Sequence, residues 1–292
     1  MAEVLRYAAF TTTPDGGNPA GVVLDAADLD EAGMQAIAAE VGYSETAFLT
    51  GPAVVPPGSG AGARHLVVRY FSPLAEVPFC GHATIATAVA RAERHGPNDL
   101  VLHTRSGPVA VRVSEVDGRP AATLTSVPPR IEPVGDADLA EALAALGWAS
   151  DDLDTTLPAR VAFAGARHLV LGAATHERLA RLDYDMPRLG ALMAARDWTT
   201  VQLAWRESAT VFHVRDPFPP GGVVEDPATG AAAAALGGYL REVGLVASPA
   251  DLVLHQGDDL GRPSLLRVHV PAGTGGIDVT GHAVPMAPPR QG

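Results

Sequence analysis

The chain has 292 residues, 47 % hydrophobic and only 18 % charged, which excludes disorder over most of its length. At roughly 100–200 residues per domain, two domains are expected. Its 33 acidic residues against 21 basic ones give a formal net charge of −12, and no basic stripe interleaves with aromatics, so nucleic-acid binding is excluded.

The first ten residues lack the basic and apolar regions of a signal peptide, so a cytoplasmic location is the expectation. Residues 4–12 read as an opening strand, closed by the turn Pro14-Asp15-Gly16-Gly17, and residues 21–24 as the next strand. Asp28 or Asp30 can cap a helix whose apolar face carries Met34, Ile37 and Val41, with Gly42 placed as its stop. A short strand-like segment, residues 43–49, follows. Residues 56–62 are a Pro/Gly/Ser loop.

Residues 65–71 form the next expected strand, leading through Ser72-Pro73 and Phe79-Cys80-Gly81-His82 into a helix spanning about 83–94. Strands are expected at 100–104, 109–113 and 121–125, and the Pro-rich stretch 127–133 reads as the connection between halves. Two domains then fall at 1–126 and 127–292, with a strand near 276–284 free to return to the first. In the second half, helices are expected at 139–146 and 187–195, separated by the apolar run 168–171, and strands at 201–205 and 210–214. A loop at 217–222 leads to an Ala-rich helix ending near Glu242, and strands at 265–270 and 276–280 complete the pattern. The apolar stretch 231–236 is far shorter than the roughly 20 residues that span a bilayer, so no membrane partner is expected.

Residues 81–96 and 229–244 correspond: each runs from a turn into a helix of small residues and ends in a charged pair and glycine. Such a helix has too little bulk to lie on a surface as an apolar stripe. It suits the middle of a curled sheet, although high alanine propensity alone would also give a helix. The repetition favours two pseudo-symmetric domains.

Helix N-termini carry unpaired N–H groups and positive dipole ends, which attract carboxylates, and Gly81 and Gly230 would let a ligand approach that backbone. A small carboxylic acid is the expected guest if the two ends face one cleft. Glu45 follows a helix stop among apolar neighbours. Desolvation there would raise its pKa and suit it to shuttle a proton, whereas an ordinary Glu at a strand edge is exposed. His82 can bind a ligand, assist proton transfer, or serve as a structural cap. Asp226 can cap the second helix or meet an amine or hydroxyl. Cys80 is either a buried inert thiol or a base near a helix N-terminus, and a two-thiol mechanism has no second cysteine to use.

The histidines form no His-x-x-x-His pair with a neighbouring Glu, and there is no Cys cluster, so no metal is expected. Dinucleotide, Walker and nucleophile-elbow motifs are missing as well.

Four segments, in order, resemble the phenazine-biosynthesis PhzF family. They are Gly17-Asn18-Pro19-Ala20-Gly21-Val22, then Gly42-Tyr43-Ser44-Glu45-Thr46-Ala47-Phe48. The third is Tyr70-Phe71-Ser72-Pro73 with Glu76-Val77-Pro78-Phe79-Cys80-Gly81-His82-Ala83-Thr84, and the fourth Glu225-Asp226-Pro227-Ala228-Thr229-Gly230-Ala231. The resemblance implies an α+β, diaminopimelate-epimerase-like fold: two pseudo-symmetric domains, each a curled sheet around a central helix, with the site in the cleft between. It also implies a homodimer that needs no metal or organic cofactor. The family's named member isomerises dihydro-3-hydroxyanthranilate with a glutamate that moves a proton. That role passes to Glu45, supporting roles to His82 and Asp226, and substrate binding to Asn18, Gly81, Gly230 and Ala231. The family often carries serine where this chain has Ala231, so the resemblance stops short of the substrate.

A cofactor-independent isomerase of a small cyclic or amino carboxylic acid is thus the leading expectation. An amino-acid racemase or epimerase of the same fold, with Cys80 as one base, is the second. A non-catalytic carboxylate-binding protein is the third, and the missing hydroxyl at Ala231 favours it.

Overall fold

The computed structural model describes residues 2–54 and 63–287, so the expected loop at 56–62 lies outside the described residues. The chain divides into two compact units, one running to Thr125 and resuming at Thr280, the other spanning Ser126–Val279.

The first unit begins with β1 (Leu5–Ala9), β2 (Asn18–Val23), α1 (Glu31–Val41), β3 (Glu45–Pro52) and β4 (Arg64–Phe71). It continues through β5 (Glu76–Val77), α2 (Gly81–His95), β6 (Leu100–Thr104), β7 (Gly107–Val116) and β8 (Arg119–Thr125). The second unit holds β9 (Arg130–Pro133), α3 (Asp136–Leu146), β10 (Arg160–Phe163), β11 (Arg167–Gly172), α4 (His176–Ala180) and α5 (Met186–Arg196). Then come β12 (Thr200–Arg206), β13 (Val211–Pro217), β14 (Glu225–Asp226), α6 (Gly230–Glu242), β15 (Ala250–Gln256) and β16 (Ser264–Val270). The last strand, β17 (Asp278–Pro285), starts in the second unit and ends in the first.

Pairing in the first unit closes a ring, β1–β2–β3–β4–β6–β7–β8–β17 and back to β1. An eight-stranded barrel results. Two of its pairs, β2–β3 and β4–β6, are parallel, and each is bridged by a helix, α1 and α2 respectively. In the second unit the ladder runs β9–β10–β11–β12–β13–β15–β16, again with two parallel pairs, β11–β12 and β13–β15. The units therefore repeat one plan, with α6 in the place of α2.

Local chemistry accounts for the helices. Asp30 accepts a hydrogen bond from Gly33 N at 2.8 Å, and Gly42 takes the left-handed conformation (φ 71°) that ends α1. In α2 every residue from His82 to Ala92 is buried, so all sides of the helix are enclosed. It packs against β1, β2, β3, β7 and β8. Its interior hydroxyls are satisfied within the helix: Thr84 and Thr87 donate to the carbonyls of Cys80 and Ala83, each at 2.7 Å. In α6 the buried run is Ala232–Leu240, and the surrounding strands leave no space beside the glycines. A Cβ on Gly237 would lie 3.0 Å from Ile277 and Val268, and one on Gly238 would lie 2.4 Å from Pro129. Outside the second unit's ladder, α3 and α5 cover β11 and β12 through Leu143, Leu146, Leu189, Met193 and Trp198.

Some expectations need correction. The stretch 127–133 contains β9, whose Ile131 pairs with Ala162: Pro128 and Pro129 precede the ladder and Pro133 ends it, so no proline sits in its interior. Strands β10 and β15 and helix α4 lie outside the elements that the sequence pattern predicts. The final strand spans Asp278–Pro285, and its Pro285, Val284 and Ala283 pair with Tyr7, Ala8 and Ala9.

Just before each central helix, a two-residue strand is pinned by an arginine. Arg69 of β4 holds Glu76 through Nε–Oε1 and Nη2–Oε2 contacts of 2.8 and 2.7 Å. Arg215 of β13 holds Glu225 through the same atoms at 3.0 and 2.6 Å. The Arg69 guanidinium keeps Glu76 below the usual carboxylate range. Truncating Arg215 to alanine strands a carboxylate that is 1 % exposed and should cost about 3–5 kcal/mol, read as a lower urea midpoint. Arg69→Ala should cost less, since Arg105 still pairs with Glu76. Equal losses would disprove that ranking.

Across β11, β12 and β13, His168 Nδ1 lies 2.8 Å from Thr200 Oγ1, and that hydroxyl donates to Asp216 at 2.7 Å. Burial lowers His168 to about 3 and raises Asp216 well above 3.8. Above about pH 4 the native state has shed His168's proton and Asp216 holds its own to higher pH than in the unfolded chain, so the two linkage contributions oppose each other. Relative to wild type, Asp216→Asn should make stability fall more steeply as pH drops below about 6.5. His168→Asn should instead make it fall as pH rises above about 4. Urea unfolding across that window reads both slopes, and slopes of the same sign would refute the assignment.

Candidate active site

The first unit gathers four of the sequence-derived candidates. Asn18 opens β2, Glu45 opens β3, and Gly81 and His82 start α2, with Cys80 at its N-cap. The parallel β2–β3 pairing, which sets Ala20 opposite Glu45, brings the first two strands' ends to the same edge.

His82 is the hub. Asn18 Nδ2 lies 3.2 Å from His82 Nδ1, and an amide that donates there leaves the neutral ring's proton on Nε2. Nε2 in turn lies 3.4 Å from Glu45 Oε2 and 3.4 Å from Ser44 Oγ. The Cys80 thiol donates to the same Glu45 oxygen at 3.5 Å and lies 3.4 Å from His82 Nδ1. Two donors thus converge on one carboxylate oxygen. The Glu45 side chain is 17 % exposed and that of His82 7 %, so the carboxylate remains reachable while the imidazole is held. The expected desolvated glutamate is therefore only partly shielded.

No side chain caps α2's N-terminus, and a Cβ at Gly81 would meet nothing closer than Leu124 at 4.0 Å. Packing does not require glycine there. The space beside the Gly81 Cα is open, and the helix dipole favours a negative group at this end.

In the second unit, Asp226, Gly230 and Ala231 sit together around the start of α6, held by Gln256, a residue that motif reading did not single out. Gln256 Oε1 accepts from Thr229 N at 3.0 Å, and its Nε2 donates to Asp226 O at 2.8 Å and Thr229 Oγ1 at 3.0 Å. Thr229 Oγ1 donates to the Asp226 carboxylate at 2.7 Å. Asp226 thus takes its hydrogen bond from the N-cap side chain, rather than being the N-cap itself. One signal was available: Gln256 is a polar residue at an inward position of the alternating run Leu252, Leu254, Gln256. Ser44 gave none beyond its place next to Glu45.

The repeated plan aligns Glu76 to His82 with Glu225 to Ala231. Cys80 then corresponds to Thr229 and His82 to Ala231, each at the start of its central helix. The thiol and imidazole of the first unit have a hydroxyl and a methyl as their counterparts. A paired-thiol racemase arrangement is missing its second member.

A protein-family model described as phenazine biosynthesis-like protein (PhzC-PhzF) matches residues 7–288. An uncharacterized isomerase, YfhB of Bacillus subtilis, is 31 % identical over 97 % of this chain and 96 % of its own length. The trans-2,3-dihydro-3-hydroxyanthranilate isomerase of Pseudomonas fluorescens is 34 % identical over 88 % of this chain and 86 % of its own. A crystal structure of a PhzF-family phenazine biosynthesis protein from Bacillus anthracis superimposes with a TM-score of 0.85 at 26 % identity, covering 98 % and 97 % of the two chains.

Proposed function

The chain belongs to the phenazine biosynthesis-like PhzC-PhzF family and is an isomerase, and from that premise we propose that Glu45 moves a proton between two carbons of a small carboxylic acid. The carrying observation is the Glu45 carboxylate within 3.4 Å of His82 Nε2, beside an uncapped helix N-terminus. An isomerisation of this kind changes neither composition nor oxidation state, so one group that takes and returns a proton is sufficient.

In this reading the substrate carboxylate rests on the first-turn amides around Gly81. Glu45 abstracts the proton and delivers it to the second carbon. His82, oriented by Asn18, donates from Nε2 and steadies whichever charge Glu45 carries. Asp226, with Gly230, has the chemistry to meet an amine or hydroxyl, a role that rests on the family resemblance. The Pseudomonas fluorescens relative's name supports a cyclic amino acid as the class of substrate. With Ala231 offering no hydroxyl, the substrate of this chain differs from one that needs a hydrogen bond at that point. The counterpart of Cys80 is Thr229, which weighs against the racemase reading.

Deuterium incorporation from D₂O into cyclic and amino acids, followed by NMR, tests the proposal. Glu45→Gln should slow exchange by about 10²–10⁴-fold, whereas Cys80→Ala should retain most of it. Exchange that survives Glu45→Gln undiminished would remove the role from this residue.

A further inference from the structure

Glu45, Cys80 and His82 bring a carboxylate, a thiol and an imidazole together, with one ligating atom from each lying within 4.8 Å of the others. Their spacing is more specific than proximity. Zinc bonds of about 2.3 Å to sulfur and about 2.0–2.2 Å to nitrogen and oxygen place tetrahedral ligands about 3.3–3.6 Å apart. The three edges here are 3.4 Å for His82 Nε2 to Glu45 Oε2, 3.5 Å for Cys80 Sγ to Glu45 Oε2, and 3.8 Å for Cys80 Sγ to His82 Nε2. Movements of a few tenths of an ångström would complete one face of a tetrahedron.

The ligands also stand on firm supports. Cys80 and His82 flank the first residue of α2, a helix enclosed by the barrel, and Glu45 begins β3. The partial exposure of Glu45 leaves room for an outer, fourth ligand. The set is mixed: a soft thiolate, a borderline imidazole and a hard carboxylate. That combination suits Zn²⁺ and is poor for Mg²⁺ or Ca²⁺, which prefer oxygen alone.

We propose that Glu45, Cys80 and His82 form a zinc site that reversibly silences the proton shuttle. The silencing half rests on the function proposed above, but the binding half does not. Binding requires the thiol to lose its proton and Nε2 to lose its hydrogen, so the ring proton moves to Nδ1. Asn18 then turns its amide oxygen toward Nδ1 and becomes the outer support of the metal ligand. Both the Glu45 oxygen and the His82 nitrogen assigned to proton transfer are occupied by the ion. Zinc is thus an inhibitor of this reaction and no part of it.

The full chain, stripped of metal with a chelator, is titrated with Zn²⁺ by calorimetry and with Co²⁺ by absorption spectroscopy. One equivalent should bind, and Co²⁺ should give a near-ultraviolet thiolate charge-transfer band. Cys80→Ser should abolish the band and weaken zinc by about tenfold or more, given that loss of even an outer support costs 10–100-fold. Circular dichroism confirms that the variant is folded, and His82→Gln provides an independent loss of one ligand. Zinc should also suppress deuterium exchange in wild type and do so far less in Cys80→Ser. Failure to bind, or binding without the band and indifferent to Cys80→Ser, as a surface histidine cluster would give, overturns the site. Exchange that proceeds unaltered in the zinc-loaded protein overturns the silencing but leaves Glu45's role intact. A zinc-loaded site in a protein that exchanges no acid sustains the site and removes the proposed function instead.

Discussion

The bidentate arginine–glutamate pair in each unit fixes where the central helix begins. A strand of two residues has too few ladder hydrogen bonds to hold its own register, and Glu76 and Glu225 each lie within one. Two parallel N–H···O contacts define both position and orientation, which a single ammonium could not do. With Glu76 fixed, Cys80 and His82 follow four and six residues later at set positions, and in the second unit Thr229 and Ala231 follow Glu225 in the same way. The two glutamates are nearly sealed, at 6 % and 1 % side-chain exposure, and so is Arg215, whereas Arg69 is 26 % exposed. The value of the pairs lies in specifying geometry more than in net stabilisation, because removing two charges from water offsets much of their attraction.

The enclosed helices add a second constraint. A helix wrapped by strands on all sides must be thin, and any polar group on it must find a partner nearby. Alanine, glycine and threonine meet the first demand. The back-bonded hydroxyls of Thr84 and Thr87 meet the second, as does the contact between Tyr70 and Thr84 at 2.5 Å. Such packing leaves little freedom along the helix body, while at the N-terminus Gly81 has open space beside it. Rigid support with a free end is what a site relying on helix amides needs.

Much of this was readable in the residues. Helix α1 announced itself through Asp30 and Gly42, and the small-residue composition of α2 and α6 pointed to enclosure rather than surface placement. The less legible elements share a physical cause. Strand β9 ends on a proline and follows two more, residues that normally mark loops, and β10 is only four residues long, so both depend on a partner strand for their identity. Among site groups, Glu45 and His82 were found by their surroundings in family-like segments. The contact of Cys80 with both, and the bridging of Asp226 and Thr229 by Gln256, join residues between 2 and 35 positions apart along the chain. Contacts at the long end of that range come from the ladder, which no local pattern encodes.

The return of β17 to the first unit bears on how the chain is made. Translation delivers β1 early, yet the barrel that contains it lacks a stave until residues 280–285 have left the ribosome. Until then β1 and β8 each present an unpaired edge, the condition under which strands recruit foreign partners. The second unit is continuous from Ser126 to Val279 and has its strands β9 to β16 in hand sooner. Vectorial synthesis therefore inverts the order of completion: the half encoded second can close first, and the half bearing Glu45 and His82 closes last.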